Sequence, residues 1–293
     1  MGYIRFENIV KNFGSTQILK NINLDIEKGQ LVTLLGPSGC GKSTLLRCLA
    51  GLETVTSGKI WLDGKEITNV EPRKRDIGMV FQQYSLFPNL TVEKNVAFGL
   101  QLKKMSKNQI DTKVKEMLEI VGLGDKGKNY PSQLSGGQQQ RAALARAIVT
   151  EPKVLLLDEP LSAIDALLRK SLQMEIRRIQ RETDITAIFV THDQNEAMVM
   201  SDMIHLLYDG KIEQSAEPAQ MYARPATKFA ASFIGSYNII SSEEFQKMTG
   251  TKAESETIAF RPESVKLSEE RPDETDSYVF RGKIVDGIRQ GNV

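Results

Sequence analysis

The strongest constraint on this chain is a glycine-rich segment between a predicted buried strand and a predicted helix. The strand covers residues 31–35, which are apolar at nearly every position, and the helix covers residues 44–50. Glycines let backbone N–H groups converge on phosphate oxygens, and the helix start adds a favourable dipole. The sequence therefore predicts a nucleoside triphosphate site, with a plain glycine-rich turn as the alternative. The segment reads Gly36-Pro37-Ser38-Gly39-Cys40-Gly41-Lys42-Ser43.

Within this segment, Lys42 is expected to reach the β- and γ-phosphates, and the Ser43 hydroxyl to ligate Mg²⁺. A second polar site is predicted where Asp158 and Glu159 follow the apolar residues 154–157. Ligands bind beyond the carboxyl ends of strands in open parallel sheets. Asp158 is thus placed to hold Mg²⁺ through water, and Glu159 to act as general base on an attacking water. Without the phosphate loop, such a pair would indicate only a solvated strand end.

The pattern of apolar runs predicts an α/β fold. Further buried strands are expected at residues 185–190 and 203–208, separated by helical segments, which indicates a mainly parallel sheet covered on both faces. Residues 92–150 have helical spacing and form a predicted helical insert. Residues 60–67 are predicted to form a hairpin around Asp63-Gly64.

From about residue 236 the composition shifts towards Ser, Thr, Glu and Asp. Short strands are predicted at residues 258–260, 264–267 and 278–285. We therefore expect two domains, at residues 1–235 and 236–293, the second of β type and incomplete.

Composition excludes several classes of protein. The 293 residues are 40% hydrophobic, so a large core can form, and 38 basic against 37 acidic residues give no general reason to bind nucleic acid or an anionic membrane. Two cysteines are too few for a disulfide framework and fit a reducing compartment. No apolar run approaches the roughly 20 residues that span a bilayer, and no signal peptide is predicted. A cytoplasmic globular protein is expected, with Arg73-Lys74-Arg75 on a solvated face.

A third motif, Leu134-Ser135-Gly136-Gly137-Gln138, precedes a predicted helix at residues 139–148. Ser135 can cap that helix, and the glycines expose its first N–H groups, so the segment is either a simple helix start or a second anion-binding surface. At this point the chain resembles the ATP-binding cassette (ABC) ATPases, for which Leu-Ser-Gly-Gly-Gln is the signature.

The resemblance covers about residues 3–235. It implies a P-loop RecA-like core with an antiparallel β subdomain and a helical insert, followed by a small OB-like β domain. Phe13 resembles the aromatic residue that stacks on adenine, with a core aromatic as the alternative, and His192 resembles the switch histidine that contacts the γ-phosphate. Residues 162–165 resemble the segment that crosses the dimer interface, although Ile164 replaces the more usual Leu.

The resemblance implies a full set of site residues. Catalysis is assigned to Glu159, His192, Gln82 and Lys42, and Mg²⁺ binding to Ser43, Gln82 and Asp158. Nucleotide binding is assigned to Phe13, Gly36, Pro37, Ser38, Gly39, Cys40, Gly41, Lys42, Ser43, Thr44, Ser135, Gly136, Gly137, Gln138 and Asp165.

In this family the signature of one subunit completes the phosphate-loop site of another. A head-to-tail dimer around two Mg-ATP is therefore implied, formed with a second copy or a homologous ATPase, which hydrolyses ATP by phosphoryl transfer to water. Two separate permease subunits would form the membrane channel, with a periplasmic or extracellular solute-binding protein as an indirect partner. The chain would then lie on the cytoplasmic face of the cell membrane. The helical insert and residues 84–90 resemble the surface that docks the permease, with the core of the insert as the alternative for their aromatic side chains.

Residues 259–265 and 281–285 resemble the start of the OB-like regulatory domain of importer ATPases for polyamines, ferric iron, phosphonates, sulfate or maltose. An importer ATPase is therefore expected, with polyamine, phosphonate or ferric iron as cargo. The alternatives are the ABC-type ATPase of an exporter, or of a DNA-maintenance or translation system. A non-hydrolysing regulatory subunit is disfavoured by the intact Lys42, Glu159 and His192.

Overall fold

In a computed structural model of the chain, residues 2–81, 85–162, 166–235, 237–266 and 278–279 can be described. The chain divides into two compact units, Met1–Arg224 and Pro225–Val293. The domain boundary that the sequence predicts, after residue 235, lies further along the chain than this division.

The first unit begins with an antiparallel sheet. Its strands are β1 (Ile4–Phe13), β2 (Thr16–Ile26), β4 (Ser57–Leu62) and β5 (Lys65–Glu66), in the order β2-β1-β4-β5. The predicted hairpin at residues 60–67 is confirmed: Asp63 and Gly64 both have positive φ, 52° and 72°, as a tight turn between twisted strands requires.

The second sheet carries the phosphate loop. It contains β3 (Leu31–Leu35), β6 (Ile77–Val80), β7 (Val154–Asp158), β8 (Thr186–Thr191), β9 (Met203–Tyr208) and β10 (Lys211–Ala216), in the order β10-β9-β3-β8-β7-β6. All neighbours are parallel except β9 and β10, which confirms the predicted mainly parallel sheet. Every residue of β3, β7 and β8 is buried, because elements cover both faces of the sheet.

Seven helices belong to the described part of the first unit. They are α1 (Lys42–Ala50), α2 (Val92–Leu102), α3 (Lys107–Ile120), α4 (Gly136–Ile148), α5 (Ala166–Thr183), α6 (Gln194–Met200) and α7 (Pro218–Ala223). The predicted insert corresponds to α2, α3 and α4, which lie in the chain between β6 and β7. Its apolar side chains form one core with one face of the sheet, and α1 forms the other core together with β1, β2 and β4.

Arg75 is a correction to the expected solvated face. Its side chain is 4% exposed, and its guanidinium donates to the carbonyls of Cys48 and Leu49, both at 2.8 Å. These carbonyls belong to the last turn of α1, where backbone acceptors lack partners within the helix. Arg75 therefore closes the end of the helix that begins at the phosphate loop.

The second unit contains helices as well as strands in its described part. β11 (Asn238–Ser241) pairs antiparallel with β12 (Thr257–Phe260), accompanied by α8 (Lys228–Phe233) and α9 (Ser242–Thr249). The strand predicted at 258–260 is confirmed. The strand predicted at 264–267 is wrong for its described residues, because Pro262–Ser264 form a 3₁₀ turn that the fixed φ of Pro262 favours. The OB-like fold stays a prediction.

Candidate functional site

The register of the parallel sheet brings the predicted site residues to one edge. Leu35, the last residue of β3, lies opposite Thr191 of β8, and Asp158 of β7 lies opposite Val190. The segments that follow these three strands contain the phosphate loop, Glu159 and His192. Their carboxyl ends thus form the crevice in which open α/β sheets bind ligands.

The phosphate loop wraps around the Lys42 ammonium group. Lys42 is 4% exposed, and its Nζ donates to the carbonyl oxygens of Gly36 at 2.7 Å and Pro37 at 2.8 Å. Gly41 precedes α1 with φ of 103°, so the first N–H groups of the helix follow directly on the loop. Burial raises the pKa of the Cys40 thiol, and the nearby Lys42 charge opposes that rise. A buried cation beside unpaired helix N–H groups favours an anion at this position.

Ser43 and Asp158 connect the loop to β7. The Ser43 Oγ donates to Asp158 Oδ1 at 2.7 Å, and Asp158 is 5% exposed. The Arg47 guanidinium on α1 lies 3.8 Å from the other carboxylate oxygen of Asp158. One hydroxyl and one carboxylate, both hard oxygen donors, are thus adjacent to the phosphate loop, which suits Mg²⁺ held together with nucleotide oxygens.

Glu159 and His192 form a pair beside this group. Glu159 has a left-handed backbone, with φ of 46°, and its N–H donates to the Val190 carbonyl at 3.1 Å. Its Oε2 lies 3.6 Å from His192 Nδ1, while the His192 side chain is 53% exposed. The arrangement brings a carboxylate and an imidazole to the open edge of the site, where both can meet a ligand.

Behind this pair lies a buried carboxyl that the sequence analysis did not single out. Glu196 on α6 is 4% exposed and accepts a hydrogen bond from the Thr191 hydroxyl at 2.6 Å. Burial raises the pKa of Glu196, opposed by that hydrogen bond. Its position three residues after Asp193, among polar neighbours, gave no sign of burial.

The signature residues form a capped helix start elsewhere in the unit. Ser135 Oγ accepts from the Gln138 N–H at 3.3 Å, and Gln138 Oε1 accepts from the Ser135 N–H at 3.0 Å. Ser135 and Gly136 are exposed. Their helix α4 packs on α2, α3 and the edge strand β6, whereas α1 packs on β2, β7 and β8. Since β6 is three strand spacings, about 14 Å, from β3, the helix that begins at the signature packs on a different part of the sheet from the strand that leads into the phosphate loop.

Phe13 is not a core aromatic. Its side chain is 46% exposed, and the Lys11 ammonium lies 4.5 Å from the ring centroid. The core alternative is therefore wrong, and the ring is exposed enough to meet a planar partner. Gln82 and Asp165, two further expected site residues, lie outside the described residues, as does Ile164.

This fold and site define a P-loop protein of the nucleoside triphosphate-binding class. A lysine inside a strand–loop–helix turn, a hydroxyl bonded to a strand-end carboxylate, and a Glu–His pair at the neighbouring strand ends are the features of that class present here.

Comparison with known proteins narrows the class. The family model described as "ABC transporter" matches residues 19–162. The chain is 46% identical, over 98% of its length and 81% of the relative's, to the spermidine/putrescine import ATP-binding protein PotA of Thermobifida fusca. It is 51% identical to the sulfate/thiosulfate import ATP-binding protein CysA of Thermosynechococcus vestitus, over 92% of this chain and 80% of that protein. It is 50% identical to the Fe(3+) ions import ATP-binding protein FbpC of Brucella abortus, over 85% and 70%.

A solved structure agrees with these relatives. An ATP-binding cassette protein, determined as a dimer in a post-hydrolysis state bound to ADP and Pi, superposes with a TM-score of 0.65. It is 33% identical, and the match covers 73% of this chain and 98% of that one. The chain belongs to the ABC transporter family and carries its ATP-binding cassette, which confirms the resemblance drawn from the signature and the phosphate loop.

Proposed function

We propose that this chain is the ATP-hydrolysing subunit of an ABC importer. The observation that carries the proposal is the meeting of three strand ends, which places Lys42, the Ser43–Asp158 pair and the Glu159–His192 pair at one sheet edge. Relatives at 46 to 51% identity that are named import ATP-binding proteins support the importer branch over an exporter or a DNA-maintenance or translation ATPase.

The donor set fits Mg-ATP. The Cβ of any other residue at Gly36 would lie 2.2 Å from the Leu207 carbonyl oxygen, whereas the same position at Gly39 faces open space. The loop is therefore packed closely against the sheet on one side and accessible on the other, as a phosphate cradle requires. Phe13 stacks on the adenine, and Thr44 and the loop N–H groups bind phosphate. Ser43, Gln82 and Asp158 would hold Mg²⁺, which would offset the negative charge of the phosphates.

In the proposed hydrolysis, Glu159 acts on the attacking water and His192 on the γ-phosphate. The Glu159 carboxylate orients the attacking water and accepts its proton, while His192 contacts the γ-phosphate. The Lys42 ammonium offsets the negative charge that builds on the phosphoryl oxygens. In this proposal Gln82 contacts the attacking water and links the site to the permease subunits. Asp165 belongs to the segment at the dimer interface.

The complete site needs two subunits. Because the helices that begin at the signature and at the phosphate loop pack on different elements, Ser135, Gly136, Gly137 and Gln138 act on the nucleotide of a second subunit in this proposal. The pair is head-to-tail with two-fold symmetry, as a self-complementary interface demands, and it contains two Mg-ATP. The dimeric, ADP-bound and Pi-bound relative supports this arrangement.

The importer setting implies partners in the membrane. No helix in the described parts of the chain is long and apolar enough to cross a bilayer. In this proposal, as the import relatives suggest by their names, two permease subunits supply the channel and the cassette works on the cytoplasmic face. Relatives of almost equal identity import solutes as unlike as polyamines, sulfate and Fe(3+), so the cargo is selected by the permeases and the solute-binding protein. Polyamine and ferric iron are the cargo classes that the sequence and these relatives have in common.

Phosphate release by the purified protein tests hydrolysis. We expect Glu159→Gln to lower turnover at least about 100-fold while ATP still binds, since a general base contributes 10² or more to the rate. Glu116→Gln, the same change on an exposed position of α3, is the matched control and should retain the rate of the unmodified protein. Unchanged turnover in Glu159→Gln, or no ATP binding by the unmodified chain, would refute the proposal.

A further inference from the structure

A buried polar cluster supports the turn that carries His192. We define the His192 clamp as Thr191, Asp193, Glu196 and Arg169. Thr191 is the last residue of β8 and is 3% exposed, and its hydroxyl has partners in both roles. It donates to Glu196 Oε2 at 2.6 Å and accepts from the Asp193 N–H at 3.0 Å. The residues immediately before and after His192 are therefore bonded through one hydroxyl.

Asp193 fixes the other side of the turn. Its Oδ1 accepts from the N–H of Asn195 at 2.8 Å and of Glu196 at 3.3 Å, so it caps α6. Its Oδ2 lies 3.4 Å from Arg169 Nη1. The same guanidinium lies 3.8 Å, through Nε, from Glu196 Oε1. Arg169 thus reaches both carboxylates of the clamp from α5.

Helix α5, which carries Arg169, is held in place by an ion pair further along the helix. Arg177, two turns further along α5, pairs with Asp202, and Nη1 lies 3.0 Å from Asp202 Oδ2. Asp202 also accepts from the N–H of Leu31, the first residue of β3, at 2.8 Å. Since α5 is tied to the strand that leads into the phosphate loop, Arg169 is presented to the clamp from a fixed helix.

The His192 clamp lies next to Glu159 and His192, and it is not only part of the protein interior. Its side chains, with Glu159 and His192, line a cavity of about 40 Å³, enough for a water molecule. Burying a partly paired carboxylate costs free energy. Well-packed apolar side chains of similar volume would stabilise the folded protein at least as well. These buried polar groups are therefore better explained by a role in holding the turn that carries His192 than by a contribution to core stability.

We infer that Thr191, Glu196 and Arg169 are positioning residues for His192, holding its turn so that the imidazole stays beside Glu159. The inference rests on the proposed function, in which His192 contacts the γ-phosphate. The three residues act through the backbone and through Asp193, and none of them touches the reacting atoms.

ATP turnover measured in a double-mutant cycle at Thr191 and His192 tests the inference. Thr191→Val keeps the side-chain shape and removes the hydroxyl, and Thr191→Ser restores it. We expect Thr191→Val to lower kcat about 10- to 100-fold with KM for ATP unchanged, and Thr191→Ser to stay within about threefold of the unmodified chain. In a His192→Ala background, Thr191→Val should cause no further loss, because the residue it positions is gone.

Arg169→Met is the second variant, since Arg169 is less buried than Thr191 and the change keeps an apolar stem. Its loss of kcat should likewise disappear in the His192→Ala background. Equal losses in both backgrounds, or a folded Thr191→Val protein with normal kcat, would overturn the inference.

An imidazole NMR spectrum separates this inference from the proposed function. The chain has two histidines, so ¹³C labelling at Cε1 gives two signals, and His192→Ala assigns them. Thr191→Val should shift the His192 signal and leave His205 unchanged, while Thr191→Ser should leave both in place. An unmoved His192 signal would overturn the positioning role, even if the protein hydrolysed ATP as proposed. Absence of hydrolysis with a moved signal would refute the proposed function alone.

Discussion

Two glycines of the phosphate loop have positive φ in different surroundings. Gly36, with φ of 153°, would place a Cβ 2.2 Å from the Leu207 carbonyl oxygen, whereas Gly39, with φ of 81°, has nothing within 4 Å of that position. We predict that Gly36→Ala lowers the free energy of unfolding by roughly 2 kcal/mol more than Gly39→Ala, because strain is common to both and the clash is not. Urea unfolding followed by the fluorescence of Trp61, the only tryptophan, measures both. Equal losses would contradict this account of the loop.

His205 should make the stability of the first unit depend on pH. It is 3% exposed on β9, its Nδ1 lies 2.7 Å from Ser215 Oγ, and burial lowers its pKa to about 4. Between pH 6.5 and 4 the unfolded chain binds a proton that the folded chain does not, so stability falls as the pH falls. The loss contributed by this residue is about 1.4 kcal/mol per pH unit and roughly 3 kcal/mol in all.

The control for this prediction is His205→Asn, which keeps a hydrogen-bonding group near Ser215 and does not titrate. Urea unfolding at several pH values, again followed through Trp61, should show a shallower dependence on pH in the variant between pH 6.5 and 4. A slope equal to that of the unmodified chain would show that His205 is not the group responsible.

Residues that carry their chemistry in a motif could be predicted, and residues that act through tertiary contacts could not. Lys42, Ser43 and Asp158 are predicted because strand, loop and residue type agree locally, and in the structure Ser43, next to Lys42, is hydrogen-bonded to Asp158. Arg75 and Glu196 were missed because the groups that bury them, the end of α1 and the Thr191 hydroxyl, are far away in the sequence or unremarkable within it. A charged side chain carries no local sign of such partners.

At the scale of elements, two helices offer a matched pair of N-caps. Ser135 begins α4 and Ser106 begins α3, and each forms a capping box with a glutamine three residues later. Ser→Ala should cost each helix about 1 kcal/mol of stability. Only Ser135→Ala should also lower ATP turnover, by about tenfold or more, because its hydroxyl meets the phosphate of the partner's nucleotide in the proposed dimer. Thermal unfolding and phosphate release measure both, and equal turnover in the two variants would count against a role for the signature in trans.

Elements with strong periodicity were predicted well. The strand at 31–35 has the bounds expected, and those at 154–157, 185–190 and 203–208 differ by at most a residue, because continuous apolar runs are typical of strands buried on both faces. The second unit was predicted less well. There, exposed residues of mixed polarity show neither the alternation of a strand nor the 3.6-residue period of a helix, so the sequence predicts neither α8 nor α9 and places the start of a strand at Ser264, which ends a 3₁₀ turn.

At the scale of the molecule, strand order decides what one chain can do alone. The order β10-β9-β3-β8-β7-β6 places the phosphate loop after a central strand, while α4, the helix that begins at the signature, packs on the edge strand β6. This order follows from no local pattern, since the chain passes from β3 to the edge strand β6 and later crosses from β8 to β9 on the other side of β3. In the proposed mechanism one chain therefore presents two half-sites, and activity depends on pairing.

The most direct test of this account is the mass in solution of the Glu159→Gln protein, measured by light scattering with and without Mg-ATP. Removing the base lets ATP bind and blocks turnover, so the closed pair should accumulate. We predict the mass of one chain without nucleotide and of two chains with Mg-ATP, and a return to one chain when Ser135→Ala is added. A protein that binds Mg-ATP and keeps the mass of one chain would contradict the composite site.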